Sequence, residues 1–269
     1  MIVFPNCKVN LGLQILGKRP DGYHDLETVF YPIAYHDILE FVPATAFQFS
    51  STGLTIGSDP SSNLCVRAYH MLKQSFPEMP AVKMHLHKVV PMGAGLGGGS
   101  ADGSYTLKAL NDYFQLGLST EELINLSLKL GSDCPFFIHD RPVIARGRGE
   151  IMEVIDLDLS AYTIAIIHPG IHISTAKAFS GVVPRVQEAN LRSVIAEPPT
   201  TWKNRVSNDF ETTVFAHYPE IAHIKEMLYE KGAVYASMTG SGSAVYGLFP
   251  QPPALPLQPS WKLIQVPLK

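Results

Sequence analysis

The sequence predicts an α+β protein of two lobes, and three observations lead there. The chain has 269 residues, which at ~150 residues per domain gives about 1.8 domains, one large or two modest. Stretches with a strand's period of two and stretches with a helix's four-residue spacing both recur along it. A glycine run, Gly93–Gly99, joins a strand-like segment to a helix-like one. The boundary between lobes is expected near residue 150, giving domains 1–150 and 151–269.

The elements follow in order. From Lys8 to Ile15, Val9, Leu11, Leu13 and Ile15 alternate with Lys8, Asn10, Gly12 and Gln14. That period means a strand, with Lys8 and Asn10 side by side on one face. Pro20-Asp21-Gly22 makes a turn, and Tyr23-His24 follow it. Leu26 to Val42 reads as one or two strands. Ser61 or Ser62 is the expected cap of a helix over Asn63–Phe76, where Leu64, Ala68, Leu72 and Phe76 repeat every fourth residue. Val82 to Val90 is a strand, and a helix from Ala101 to about Phe114 follows the glycines. Ser119 and Glu122 form a capping box for a helix that Gly131 stops. Pro142 to Ile167 favours strands. Asn208–His217 and Pro219–Lys231 read as helices, with Pro219 in the first turn and Gly232 as the stop. Strands Ala233–Met238 and Ala244–Phe249 flank Thr239-Gly240-Ser241-Gly242-Ser243. Five prolines in the ten residues Pro250–Pro259 forbid a helix interior and predict an extended connector. Trp261–Leu268 is a candidate last strand.

Composition excludes several classes. Hydrophobic residues are 46% and charged residues 17%, which rules out a mostly disordered chain. A net charge of −3 gives no broad basic field for nucleic-acid phosphates or anionic membranes, so neither is an expected partner. No apolar run approaches the ~20 residues that span a bilayer. The first residues lack the pattern of a secretory signal. Three widely spaced cysteines, Cys7, Cys65 and Cys134, suggest neither a disulfide framework nor a metal site, and a cytoplasmic location is expected.

Five of the seven residues Gly93–Gly99 are glycine. Between a strand and a helix, glycines let backbone N–H groups approach a ligand, and the helix start adds unpaired N–H groups and positive dipole. This is an anion site, most often for phosphate, with Ser100 placed to bond a phosphate oxygen or a phosphate-bound Mg²⁺. The alternative is a tight turn with Ser100 as a simple cap, at a cost of ~0.5–1 kcal/mol per unused glycine. A Walker A loop needs a Lys that is absent here. Gly93, Gly95 and Gly98 match GxGxxG, but Ser119–Leu130 reads as a helix where a dinucleotide fold needs a strand ending in an acid. His85 and His87 point to one side of a strand; with no third ligand they read as a surface pair.

The segment Pro91-Met92-Gly93-Ala94-Gly95-Leu96-Gly97-Gly98-Gly99-Ser100-Ala101-Asp102 resembles the phosphate-loop signature of the GHMP small-molecule kinases. Lys8-Val9-Asn10-Leu11 and Thr239-Gly240-Ser241-Gly242-Ser243-Ala244 are similar to that superfamily's N-terminal and C-terminal motifs. Arg19-Pro20-Asp21-Gly22-Tyr23-His24, Gly131-Ser132-Asp133-Cys134-Pro135-Phe136 and Asn208-Asp209-Phe210-Glu211 narrow the resemblance to the branch whose acceptor is a cytidine diphosphate-linked methylerythritol on the non-mevalonate route to isoprenoid precursors. Two departures stand out: Asp102-Gly103-Ser104 replaces a more usual D/N-A-A, and prolines at 250–259 stand where a helix is usual.

The resemblance implies the two-lobed GHMP kinase fold, with mixed and antiparallel sheets, helices, and a cleft between the lobes. It implies transfer of the γ-phosphoryl of ATP, with Mg²⁺, to a hydroxyl of that small molecule, giving the 2-phosphate, by a monomer or homodimer. Asp133 is then the catalytic acid/base and Lys8 its partner and charge stabiliser. Asn10, Tyr23, His24, Thr175 and Phe179 are substrate-binding candidates: Tyr23 and Phe179 as faces for the cytosine, His24 for its edge, Thr175 for the diphosphate. The ATP-binding candidates are Asn63 and Leu64 at the adenine, Lys88, the run Pro91, Met92, Gly93, Ala94, Gly95, Leu96, Gly97, Gly98, Gly99 and Ser100, and Gly240, Ser241 and Gly242. Without the resemblance, Asp133 is a turn residue, Lys8 a solvated lysine, Tyr23 and His24 part of a hairpin turn, Phe179 helix packing, and Lys88 a sheet-edge charge. The rivals are a mevalonate- or homoserine-type kinase, which has no use for a pyrimidine platform, and a nucleotide-binding protein without transfer activity, against which the presence of both Lys8 and Asp133 speaks.

Overall fold

A computed structural model describes residues 1–57, 59–182, 184 and 190–268. In chain order the strands are β1 (Ile2–Val3), β2 (Asn6–Lys18), β3 (His24–His36), β4 (Ile38–Ala44), β5 (Gln48–Gly53), β6 (Ala81–Lys88), β7 (Val143–Gly147), β8 (Ile151–Val154), β9 (Thr163–His168), β10 (Tyr235–Met238), β11 (Val245–Phe249) and β12 (Lys262–Pro267). The helices are α1 (Leu64–Ser75), α2 (Gly98–Phe114), α3 (Thr120–Leu128), α4 (Cys134–His139), α5 (Thr175–Phe179), α6 (Leu191–Ile195), α7 (Phe210–His217) and α8 (Pro219–Glu230). The class is α+β, as the sequence predicts.

Two compact units form. One takes Met1–Cys7, Tyr35–Met92 and Gly97–Arg141; the other takes Lys8–Ala34, Gly93–Leu96 and Pro142–Lys269. The second unit thus gathers early strands and half of the glycine loop together with the C-terminal half of the chain.

In the first unit the sheet order is β1-β4-β6-β5, with β5 parallel to β6 and the other pairs antiparallel. Along β6, Val82, Met84 and Leu86 are buried while Lys83 and His87 face out, as a half-buried sheet requires. The buried face joins Ala68 and Leu72 of α1 and Leu107 and Leu110 of α2 in one core. Helix α1 starts at Leu64, one residue later than expected, and Asn63 rather than Ser61 or Ser62 caps it. Asn63 Oδ1 accepts from Cys65 N–H at 2.8 Å, while Ser61 and Ser62 bond Asp59 instead. Helix α2 starts at Gly98 rather than Ala101, so glycines form its first turn. Gly103 explains one departure from the family pattern: a Cβ there would lie 2.8 Å from Leu64 Cβ, so the helix pair approaches too closely for alanine. The Ser119–Glu122 capping box opens α3 as expected.

The second unit holds two sheets, β10-β11-β9-β12 and β2-β3-β7-β8. β9 is central in the first, antiparallel to β11 and β12, and Thr163–Ile167 are all buried. Ile221, Ile224 and Leu228 of α8 pack with Ala236, Met238 and Val245 in its core. β2 differs from a half-exposed strand: every residue from Asn6 to Ile15 is buried, so the alternation separates chemistry, not exposure. Helix α7 begins two residues later than expected because Asn208 Oδ1 accepts from Phe210 N–H at 3.0 Å. The prolines from 250 to 259 form no regular element, and the chain returns as β12 along β9, Lys262 facing His168.

Candidate active site

Within the second unit, β2 brings Lys8 and Asn10 against the first half of the glycine loop. Lys8 Nζ donates to Asn10 Oδ1 at 2.6 Å and to the Gly95 carbonyl at 3.0 Å, and stands 4.9 Å from the Phe30 ring centroid. Lys8 is 3% exposed, so these polar and aromatic neighbours replace water around its charge. Asn10 is engaged at both ends, since its Nδ2 donates to Thr28 Oγ1 at 2.9 Å. Its place beside Lys8 is the expected one; its amide serves to hold Lys8.

The loop is tied down by backbone bonds: Lys8 N–H to Leu96 O at 2.9 Å, and Ala244 N–H to Ala94 O at 3.2 Å. Gly95 has φ 79°, and a Cβ there would run into the Thr239 carbonyl, so both conformation and proximity require glycine. The C-terminal glycine motif therefore packs directly on the loop. Thr239, not among the expected site residues, is the contact: its hydroxyl accepts from Asn10 N–H at 3.0 Å and lies 3.2 Å from Asn10 Oδ1 and 3.0 Å from Gly95 O. Asn208 Nδ2 donates to the carbonyls of Met238 and Gly240, each at 2.8 Å, one on either side of Thr239. Glu211 Oε1 accepts from Met238 N–H at 2.8 Å, and Lys225 holds Oε2. The motif Asn208-Asp209-Phe210-Glu211 is visible in the sequence, but these duties are not.

The cytosine candidates sit in the same unit. The His24 and Phe179 rings stack at 4.7 Å with 19° between planes, and Phe210 meets Phe179 edge-on at 4.7 Å. Tyr23 is 57% exposed, with the Arg148 guanidinium 5.0 Å from its ring centroid. Asp21 Oδ1 accepts from Tyr23 N–H and pairs with Arg19, which fixes the turn that presents Tyr23. The Thr175 and Ser241 hydroxyls stand 3.4 Å apart, joining a diphosphate candidate to the C-terminal glycine motif.

The first unit holds the other candidates. Gly97, in the left-handed conformation, precedes Gly98, Gly99 and Ser100 in the first turn of α2, where backbone N–H groups lack helical partners. Pro91 is buried and Met92 is 42% exposed. Leu64 opens α1, and the Asn63 side chain is spent capping it. Asp133 immediately precedes α4, whose Cys134 carbonyl accepts from Ser104 Oγ of α2 at 2.8 Å. Burial pushes the Cys134 thiol up to about 11, so this neighbour is no nucleophile. Lys88 differs from expectation. It is 2% exposed, and its Nζ lies 2.5 Å from Asp37 Oδ2 and 2.7 Å from Asp102 Oδ2, which leaves the ammonium no face for a phosphate. Asp37 Oδ1 also accepts from Val89 and Val90 N–H, so the triad braces the strand exit before the loop. Among the described residues, no group of three or more His, Cys, Asp or Glu forms a metal cluster.

The GHMP kinases N terminal domain family matches residues 63–141, and the GHMP kinases C terminal family matches residues 200–258. The 4-diphosphocytidyl-2-C-methyl-D-erythritol kinase of Azobacteroides pseudotrichonymphae is 49% identical over 253 residues, 94% of each chain. The protein of that name from Bacteroides thetaiotaomicron is 48% identical over 260 residues, 95% of this chain and 94% of the relative. A crystal structure of 4-(cytidine 5'-diphospho)-2C-methyl-D-erythritol kinase superposes with a TM-score of 0.80 at 30% identity, covering 92% of this chain and 90% of that one. A mevalonate kinase structure shares the fold at 12% identity, with a TM-score of 0.69 and coverage of 93% and 91%.

Proposed function

The chain belongs to the 4-diphosphocytidyl-2-C-methyl-D-erythritol kinase family of the GHMP kinases, and from that premise we infer that it phosphorylates that substrate with ATP to give the 2-phosphate. It is an ATP-dependent small-molecule kinase acting in isoprenoid precursor synthesis by the non-mevalonate route. A mevalonate- or homoserine-type acceptor is not favoured by the relatives at 41–49% identity.

The observation that carries the chemical reading is the Lys8 ammonium, buried against Gly95 of the glycine loop by Asn10. A fixed positive charge beside a phosphate loop suits the negative charge that spreads over a transferring phosphoryl group. In the proposed step the acceptor oxygen attacks the γ-phosphorus, the bond from that phosphorus to the β–γ bridging oxygen breaks, and ADP leaves. Asp133 takes the acceptor's hydroxyl proton. Lys8 stabilises the phosphoryl oxygens. Gly93–Ser100 and Gly240–Gly242 cradle the nucleotide's phosphates, and Tyr23, His24 and Phe179 hold the cytosine. Ser100, a hard oxygen donor in the first turn of α2, fits Mg²⁺, which would neutralise phosphate charge there. The buried thiols of Cys7, Cys65 and Cys134 fit a reducing, cytoplasmic setting. No helix among the described residues is long and apolar enough to cross a membrane.

The test is ADP release with ATP and Mg²⁺, comparing 4-diphosphocytidyl-2-C-methyl-D-erythritol, mevalonate and homoserine as acceptors. Turnover with the cytidine compound alone is expected. Turnover with mevalonate or homoserine, or none with any acceptor while ATP still binds, overturns the reading.

A further inference from the structure

We propose that Thr239, pinned by Asn208, is a positioning residue that aims the Lys8 ammonium for phosphoryl transfer. The inference rests on Lys8 being the charge-stabilising group of the proposed reaction. Lys8 Nζ donates to two oxygens, Asn10 Oδ1 and Gly95 O, at 2.6 and 3.0 Å. Those same two oxygens face the Thr239 hydroxyl at 3.2 and 3.0 Å. One hydroxyl therefore touches each of these two oxygens that the ammonium bonds. It also accepts from Asn10 N–H at 3.0 Å, so it holds that residue by backbone and by side chain.

Thr239 is fixed in turn. The two amide hydrogens of Asn208 go to the carbonyls on either side of it, Met238 and Gly240, both at 2.8 Å. Asn208 Oδ1 is used by Phe210 N–H, which settles the orientation of the amide. Thr239 and Asn208 are 0% and 2% exposed, so neither interaction competes with water. Only a side chain with two donors and one acceptor satisfies this place. Aspartate there would set a carboxylate against two carbonyl oxygens.

A group that only shaped the glycine motif would change nucleotide affinity. A group that aims Lys8 changes the transition state, where charge on the phosphoryl oxygens is new, and leaves ground-state binding alone. The experiment measures kcat and both KM values for Thr239→Val, Thr239→Ser, Asn208→Asp and Lys8→Met in the full chain, with thermal melts alongside. Thr239→Val keeps the shape and removes the hydroxyl. It should lower kcat at least tenfold with each KM within threefold, and Thr239→Ser should recover kcat to within threefold of the parent. Asn208→Asp should repeat the Thr239→Val pattern, and carries the test if Thr239→Val does not fold. An unchanged kcat, or a raised KM for ATP with kcat intact, overturns the proposal. Lys8→Met alone reports on the premise: if it keeps the parent kcat, Lys8 is not the charge stabiliser and the proposal falls with that reading. If Lys8→Met is crippled while Thr239→Val and Asn208→Asp are not, only the positioning role fails.

Discussion

The Lys88 ammonium lies 2.7 Å from the Asp102 carboxylate with both groups buried, and Asp37 closes the other side at 2.5 Å. Removing one partner from such a group leaves uncompensated charge in a low-dielectric interior, which costs about 3–5 kcal/mol. Lys88→Met leaves two buried acid groups, 51 and 14 residues away in sequence, with no cation between them. It should lower the urea midpoint by an amount worth that energy. A variant as stable as the parent would mean the ion pairs contribute nothing.

The same triad sets a pH dependence. Burial pushes the Asp102 carboxyl up to about 8; Lys88 pulls against that and Asp37 adds to it. An acid with a folded pKa above its unfolded value holds more protons folded than unfolded between the two. The stability that Asp102 contributes then falls as pH rises from about 4 towards about 8. On Lys88, burial acts downward but the two carboxylates outweigh it and raise the ammonium pKa, so its contribution is lost only in strong alkali. The change in urea midpoint from pH 5.5 to 7.5 should therefore be more positive in Asp102→Asn than in the parent. An identical pH dependence in both proteins would refute the assignment.

Loss of a proton acceptor in phosphoryl transfer costs on the order of 10²–10⁴ in rate. Asp133→Asn is expected to lose turnover on that scale while the Kd for ATP, measured by calorimetry, stays within threefold. Turnover within tenfold of the parent would remove Asp133 from the chemistry.

What was legible in the sequence was local. The alternation of β2 and the Ser119–Glu122 box of α3 each lie within a few consecutive residues. The start of α1 falls one residue later than expected because Asn63 wins the cap over Ser61 and Ser62 through one bond to Cys65 N–H, and Ser and Asn both favour caps. Helix α4 is six residues long, too short for a periodic signal. The duties of Lys88 and Thr239 were not legible for another reason. Lys88 meets Asp37 51 residues away, and Thr239 meets Asn10 229 residues away, distances at which no spacing rule operates. The glycine loop stood out because its chemistry needs one residue type in one run. The side chains that brace it, Lys8 and Asn10 at one end of the chain and Thr239 at the other, come from segments far apart in sequence.

The cytosine platform yields the last prediction. Phe179 is stacked on His24 and edge-packed by Phe210, whereas Tyr23 is exposed and held by its turn and Arg148. Stacking of a base on an aromatic ring is worth ~1–3 kcal/mol, or about 5- to 150-fold in affinity. Tyr23→Ala removes one face and disturbs little else, so KM for the cytidine substrate should rise within that range with kcat and KM for ATP unchanged. Phe179→Ala removes a ring that also supports His24, so its KM effect should be larger and accompanied by a lower melting temperature. His24→Ala should raise the same KM while leaving the melting temperature closer to the parent's, because Phe179 keeps Phe210. If instead these variants raise KM for ATP alone, the platform belongs to adenine and the two substrates exchange places in the proposed site.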